Sequence, residues 1–225
     1  MPLPPPRRPR LLMKVWDGPI RLFHWAITLL VLVSYLTYRF DRLGWHMLSG
    51  YTILALLLFR LAWGFVGSDT ARFSSFLGSP LAGLAHLRTI TRREPDDQIG
   101  HNAAGGWMVL ALLLSLLLQT GTGLFANDEI MNQGPLSGWV GDSTSHWLTR
   151  IHVFNFNILL GLIGLHVLFV LIYAAIKGQN LLRPMITGKK RLLAATRQPR
   201  LASPALAALI LLCAAGLVWA LVRFA

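Results

Sequence analysis

Residues 151–176 have the sequence IHVFNFNILLGLIGLHVLFVLIYAAI. The segment is apolar and long enough to cross a bilayer as one α-helix. It contains His152 and His166, whose 14-residue separation corresponds to about 21 Å along a helix axis and just under four turns. Both imidazoles should therefore lie on nearly the same face, one near each membrane surface. Ionisable side chains inside a span are costly and usually functional, so the segment predicts two sites stacked at different depths.

The composition of the whole chain is that of a membrane protein. Of its 225 residues, 54% are hydrophobic and 13% are charged, and the mean hydropathy is +0.54. The net charge of +12 does not indicate nucleic acid binding, because the basic residues flank apolar spans as membrane topology requires. The single cysteine, Cys213, excludes an internal disulfide and covalent haem attachment through a CxxCH motif.

Hydropathy predicts four membrane spans besides residues 151–176. They cover residues 20–38, 46–66, 105–125 and 205–222. A short interfacial helix is expected over residues 81–91. The sequence therefore predicts an all-α membrane protein with a transmembrane four-helix bundle and a fifth, C-terminal transmembrane helix.

Four regions follow from this division of the chain. Residues 1–19 are basic and rich in proline, which indicates an extended cytoplasmic tail. Residues 20–178 form the core with four spans. Residues 179–203 form a basic cytoplasmic linker, and residues 204–225 contain the fifth span.

The distribution of basic residues predicts the orientation in the membrane. Most of the 21 Lys and Arg residues lie in the N-terminal tail, in the loop between the second and third spans, or in the linker. Loops rich in these residues stay in the cytoplasm, so the N-terminus should be cytoplasmic and the C-terminus periplasmic. This orientation puts His24 and His166 at the cytoplasmic side. It puts His46 and His152 at the periplasmic side, so the four histidines match in depth as two pairs.

The type of ligand follows from what each pair lacks. A bare zinc or copper site needs a third or fourth ligand, and no Asp, Glu or Cys is expected at either depth. Two histidines suffice for haem, because the porphyrin supplies the other four nitrogens to the iron. We therefore predict two non-covalent b haems within the four-helix bundle. Gly50, four residues after His46 on the same helix face, would let a porphyrin approach the backbone.

Arginines near the histidines are candidates for pairing with haem propionates. Arg60 follows His46 by 14 residues, which puts it on a similar face about four turns deeper, beside the cytoplasmic haem. It could instead extend to the membrane surface. Further candidates near the two surfaces are Arg21, Arg42 and Arg150. The remaining histidines, His86, His101 and His146, lie in predicted loops and are expected to be ordinary interfacial side chains.

Several stretches resemble a known family: VWDGPIRLFHW (residues 15–25), HMLSGY (46–51), FRLAWGFVGS (59–68), GHN (100–102) and the His152/His166 spacing. Together they resemble the bacterial cytochrome b561 family, and more narrowly the b-type cytochrome subunit of membrane-bound Ni,Fe-hydrogenases. The resemblance covers about residues 14–178. It implies a four-helix core with two b haems in the bacterial inner membrane, and electron transfer between a periplasmic redox partner and quinone.

The resemblance also implies a role for Asn102. In relatives, an Asn after the Gly-His pair helps to bind quinone near the cytoplasmic haem, and Asn102 occupies the matching position. The chain departs from the usual GHNP motif, since Ala103 replaces the proline. The residues alone leave a second interpretation open, in which Asn102 caps the third transmembrane helix.

The predicted function is that of a di-haem b-type cytochrome surrounded by membrane lipid. It would carry electrons between quinone and a periplasmic cytochrome c, or a dehydrogenase or hydrogenase subunit. As such it would be an electron-transfer subunit of an oxidoreductase. Acidic residues of a periplasmic loop, Asp128, Glu129 and Asp142, could attract a basic partner.

Alternatives from other classes remain open. One is a membrane anchor in which haem is only structural. Another is a transporter or proton channel that uses the histidines as a relay, which would give a colourless protein. Within redox proteins, a self-contained ferric or superoxide reductase is also possible.

Overall fold

The computed structural model describes residues 9–88, 90–93, 97–127 and 132–225. Asp128 and Glu129 of the predicted acidic loop lie outside these ranges. In chain order, the described part contains β1 (Arg10–Lys14), α1 (Gly18–Arg39), α2 (Leu43–Val66), α3 (Phe73–Phe76), α4 (Pro80–Leu87), α5 (Ala103–Gly123), α6 (Asp142–Ile172), α7 (Leu182–Thr187), β2 (Lys189–Leu193) and α8 (Pro204–Phe224).

Within the described residues, five helices are long and apolar enough to cross a membrane. They are α1, α2, α5, α6 and α8, so the predicted multi-pass membrane protein with five spans is confirmed. A π-helical turn, Tyr173–Lys177, continues α6. Turns of this kind are rare and often occur at functional sites. The short helix that was predicted over residues 81–91 is α4, which ends at Leu87 rather than at residue 91.

The fourth transmembrane helix begins earlier than predicted, at Asp142 rather than Ile151. Its first residues, 142–150, are DSTSHWLTR, and their polarity hides them from a hydropathy search. Tertiary contact stabilises this part of the helix: Ser145 is only 1% exposed, and its hydroxyl donates a hydrogen bond to the Phe125 carbonyl at 2.7 Å. The extension therefore packs against the chain that leaves α5.

The start of α1 is fixed by a buried aspartate. One Asp17 carboxylate oxygen accepts the Ile20 backbone N–H at 2.6 Å, as an N-cap does. The other oxygen accepts the indole N–H of Trp63 in α2 at 3.0 Å. Residues 40–42 connect α1 to α2 at the opposite end, so the two helices are antiparallel and joined at both ends.

The transmembrane helices pack in a series in which α1 contacts α2, α2 contacts α5 and α5 contacts α6. Leu57 and Trp63 of α2 and Leu159 of α6 are among the fully buried core side chains. The fifth helix, α8, packs against α2. It buries the small residues Ala207 and Ala214 in the same core, and small residues allow membrane helices to approach closely.

The basic tail and the basic linker meet in a two-stranded antiparallel sheet, so the chain is mostly rather than purely helical. Arg10 of β1 pairs with Leu193 of β2, and Lys14 pairs with Lys189. Met13 and Leu192 are buried beneath the sheet. Each strand has only five residues and its partner is far away in the chain, so local sequence patterns do not reveal the pairing.

Candidate haem sites

The structure brings the four predicted histidines together as two facing pairs. His24 of α1 faces His166 of α6, with ring centres 6.4 Å apart and planes at 55°. His46, in the first turn of α2, faces His152 of α6, with ring centres 6.2 Å apart and planes at 81°. Each pair therefore joins α6 to a different helix.

Both separations suit two imidazoles on opposite sides of one metal ion. A metal–imidazole bond is about 2.0 Å long, and the ring centre lies about 1 Å behind the bonding nitrogen, so opposed rings have centres about 6 Å apart. No cluster of three or more His, Cys, Asp or Glu side chains suited to a metal ion occurs within the described ranges. The pairs thus fit a metal whose other ligands come from a porphyrin.

The hydrogen bonds of one pair orient its rings for metal binding. His46 Nδ1 lies 2.9 Å from the Ser34 carbonyl oxygen, and His152 Nδ1 lies 2.9 Å from the Gln119 carbonyl oxygen. A carbonyl oxygen only accepts, so in each ring Nδ1 carries the hydrogen and donates it. Nε2 then keeps its lone pair for a metal. Histidines that bind metals usually donate a hydrogen bond in this way.

Arg60 of α2 lies in the core, and its charge acts on His101, as do those of His24 and His166. Its side chain is only 2% exposed, and its guanidinium carbon lies 4.8 Å from the centre of the Phe73 ring. Among the described residues, Nη1 of Arg60 has no hydrogen-bond partner. Buried polar groups are nearly always hydrogen-bonded, and a propionate oxygen of a haem would satisfy this donor. Arg60 therefore does not extend to the surface.

His101, which was expected to be an ordinary interfacial side chain, is half-buried, and its Nδ1 is buried without a hydrogen-bond partner among the described residues. Its ring contacts Trp16, with centres 4.7 Å apart, and Phe76, with centres 4.9 Å apart. Burial, followed by the charges of Arg60, His166 and His24, lowers its pKa to about 3. His101 is therefore neutral at physiological pH and belongs to the surroundings of the His24–His166 pair. Its place in the GHN motif was the signal available in the sequence.

The depressed pKa of His101 predicts a loss of stability in acid. An unfolded chain binds a proton at this histidine below its ordinary pKa of 6.5, whereas the folded chain does so only near 3. The free energy of unfolding should therefore fall by ~2 kcal/mol between about pH 7 and about pH 5. His101→Phe should remove this part of the loss. The measurement is the difference between the thermal unfolding temperatures at the two pH values. An equal loss in the variant and the natural chain would contradict the prediction.

Asn102 has two structural partners. Its Oδ1 accepts the Gly105 backbone N–H at 2.7 Å, so Asn102 is the N-cap of α5. Its Nδ2 donates to the Tyr173 hydroxyl at 2.8 Å. That hydroxyl is also hydrogen-bonded to His86 Nε2 at 2.9 Å, with the donor set by the histidine tautomer. Tyr173 was not predicted, because its partners Asn102 and His86 are distant in the chain.

The other predicted site residues differ in their surroundings. A Cβ added to Gly50 would have no heavy atom of the described part within 4 Å, so this helix face can accept a flat ligand. Arg21, one turn before His24, has a buried Nε without a hydrogen-bond partner in the described ranges. Arg150 is exposed on α6, two residues before His152.

Histidine pairs that face one another across membrane-spanning helices are typical of membrane b-type cytochromes. A family model described as prokaryotic cytochrome b561 matches residues 15–188, and the chain belongs to this family. Its members bind haem b and act in electron transfer in membranes, so the predicted family and class of protein are confirmed. No match was found among curated proteins or solved structures.

Proposed function

We propose that the chain is a di-haem cytochrome that carries single electrons across the bacterial inner membrane. It would connect a redox partner in the periplasm with quinone at the cytoplasmic side. The observation that carries this proposal is the arrangement of α6, which presents His152 to α2 and His166 to α1. At about 1.5 Å per residue, these two positions are about 21 Å apart along the helix. Two haems stacked at this spacing would divide the path of the electron across the membrane into shorter steps.

Each part of the chain contributes differently to the two sites. The four histidines would hold the irons through Nε2, and His46 and His152 are already oriented for it by their Nδ1–H donors. When bound, haem supplies one-electron exchange at its iron. The bundle supplies apolar burial, and Gly50 leaves space for a porphyrin edge.

Arginines would balance the negative propionates of the haems. Arg60 supports this assignment best, since it is buried and its Nη1 lacks a partner in the described ranges. A buried cation is costly without an anion. Asp17 attracts the Arg60 charge, but its two carboxylate oxygens accept from the Ile20 N–H and the Trp63 indole, and Nη1 of Arg60 has no partner among the described residues. We assign Arg21 to the same haem as Arg60, and Arg150 to the haem of His46 and His152.

Quinone would bind beside Asn102 at the cytoplasmic end of α5. The Asn102 amide has two N–H groups, and Tyr173 uses one of them. The second can donate to a quinone carbonyl, while Oδ1 keeps the helix cap. The basic loops and linker support a cytoplasmic position for this end of the protein.

Electron transfer across liposomes tests the proposal. The purified protein is placed in vesicles that enclose ferricyanide, and dithionite is added outside. Both reagents are anions, so neither crosses the bilayer unaided. We expect the enclosed ferricyanide to be reduced faster than in protein-free vesicles. A haem-containing anchor would give the haem spectrum without this reduction. A histidine-based transporter or proton channel would give no haem spectrum at all.

A further inference from the structure

Three polar side chains form a buried cluster between α5 and α6, within the apolar part of the bundle. They are Ser115 and Gln119 of α5 and Asn155 of α6. Asn155 is only 2% exposed and Ser115 only 7%. Polar groups inside a membrane span are costly unless they are hydrogen-bonded. A leucine would pack at position 155 without this cost, so the asparagine requires an explanation.

Asn155 holds α5 through three hydrogen bonds. Its Nδ2 donates to the Ser115 carbonyl at 3.0 Å and to Gln119 Oε1 at 2.7 Å. Its Oδ1 accepts the Ser115 hydroxyl at 3.2 Å. The two donors and the acceptor of the amide are thus used, which fixes the orientation of Asn155.

Gln119 of α5 also holds a histidine of the proposed haem site. Gln119 is bound through its side chain by Asn155, and its backbone carbonyl accepts the Nδ1–H of His152 at 2.9 Å. His152 and Asn155 are three residues apart and therefore lie on one side of α6. Asn155 therefore ties α5 to α6 at the level where the Gln119 carbonyl accepts from His152.

The same edge of the His152 ring meets two further residues of α5. The Thr122 hydroxyl lies 3.4 Å from its Nδ1. A Cβ added to Gly123 would lie 3.0 Å from its Cε1. The Nδ1 edge of His152 therefore lies against one continuous stretch of α5, from Gln119 to Gly123.

We propose that Asn155 is a positioning residue for His152, and that through it Asn155 tunes the haem held by His46 and His152. This inference rests on the proposed function. Asn155 keeps the Gln119 carbonyl where it accepts from Nδ1, which makes the imidazole a more basic ligand. A more basic axial ligand stabilises oxidised iron and lowers the reduction potential.

Asn155→Leu should raise the reduction potential of one haem and leave the other unchanged. Leucine is similar in size but cannot bind Ser115 or Gln119, so the hydrogen bond from His152 should weaken. We expect about a tenfold shift in the reduction equilibrium of that haem, or about 59 mV for a one-electron couple. A potentiometric titration measures both haems in one sample, and the low-spin electron paramagnetic resonance signal of the affected haem should also move.

Asn157→Leu is the matched control on the same helix. Asn157 is exposed, and its Nδ2 donates to the Val153 carbonyl of its own helix at 3.3 Å. Its replacement should change neither the potentials nor the spectra. If Asn155→Leu does not fold, Ser115→Ala and Gln119→Leu each remove part of the cluster. Both variants should raise the reduction potential of the same haem, by less than Asn155→Leu does.

The outcomes separate this inference from the proposed function. If Asn155→Leu melts earlier but keeps the potentials and signals of Asn157→Leu, Asn155 only joins two helices and the inference is overturned. The same holds if Ser115→Ala and Gln119→Leu both keep the natural potentials. A natural chain that binds no haem would instead overturn the proposed function, before any variant is compared.

Discussion

His152→Ala should remove one haem from the protein and leave the other bound and low-spin. The rings of His46 and His152 now face each other with centres 6.2 Å apart. In the variant, His46 would be the only axial ligand left at this site. His46→Ala should therefore remove the same haem. The haem content per chain and the reduced-minus-oxidised spectrum of each purified variant measure the effect.

His24→Ala and His166→Ala should each remove the other haem. These two side chains form the second facing pair, which joins α1 to α6. His146→Ala is the control, because His146 lies on α6 but belongs to neither pair. If His24→Ala and His46→Ala abolish the same spectral component, the pairing is wrong.

Asn102→Leu should slow the reduction of the haems by a quinol, and their oxidation by a quinone, with both haems still bound. The leucine removes the amide N–H that we assign to the quinone carbonyl. It also removes the N-cap of α5, which costs about 0.5–2 kcal/mol of stability. Stopped-flow mixing with a quinol analogue measures the rate.

Asn102→Asp separates the two roles of this side chain. Aspartate is a good N-cap, since its carboxylate accepts the same backbone N–H, but an ionised carboxylate donates no hydrogen bond. The Tyr173 hydroxyl, which now accepts from the Asn102 amide, can instead donate to a carboxylate oxygen. We therefore expect Asn102→Asp to keep the thermal stability and lose the fast reaction with quinol. Unchanged rates in both variants would leave Asn102 as a cap alone, and the quinone site would have to lie elsewhere.

Much of the fold follows from sequence because the bilayer imposes one strong rule on it. A spanning segment must satisfy its own backbone hydrogen bonds and cover them with apolar side chains. Hydropathy therefore finds the five spans. It does not find residues 142–150 of α6, because these polar residues are held by tertiary contacts such as the Ser145–Phe125 hydrogen bond.

The arrangement of the four histidines as two facing pairs could be predicted from helical spacing combined with loop charge. The 14-residue separation puts His152 and His166 on one face of a helix. The depth of His24 and His46 then follows from the direction in which their helices enter the membrane. In the structure each of them lies opposite one histidine of α6.

The surroundings of the histidines could not be predicted in the same way. His101 is half-buried because Trp16 and Phe76, which are distant in the chain, pack against it. The backbone carbonyls of Ser34 and Gln119 accept hydrogen bonds from His46 and His152. Every residue has such a carbonyl, so a sequence does not show which ones accept from a histidine. Such contacts depend on how the helices pack, which spacing within one helix does not determine.

The most direct test of the two-site account is the haem content of the purified chain. Haem is extracted with acid acetone and quantified as the pyridine haemochrome against the protein concentration. The account predicts two b haems per chain, both released by the extraction because Cys213 lies outside any CxxCH motif. One haem or none per chain, or haem that stays with the protein after extraction, would contradict it.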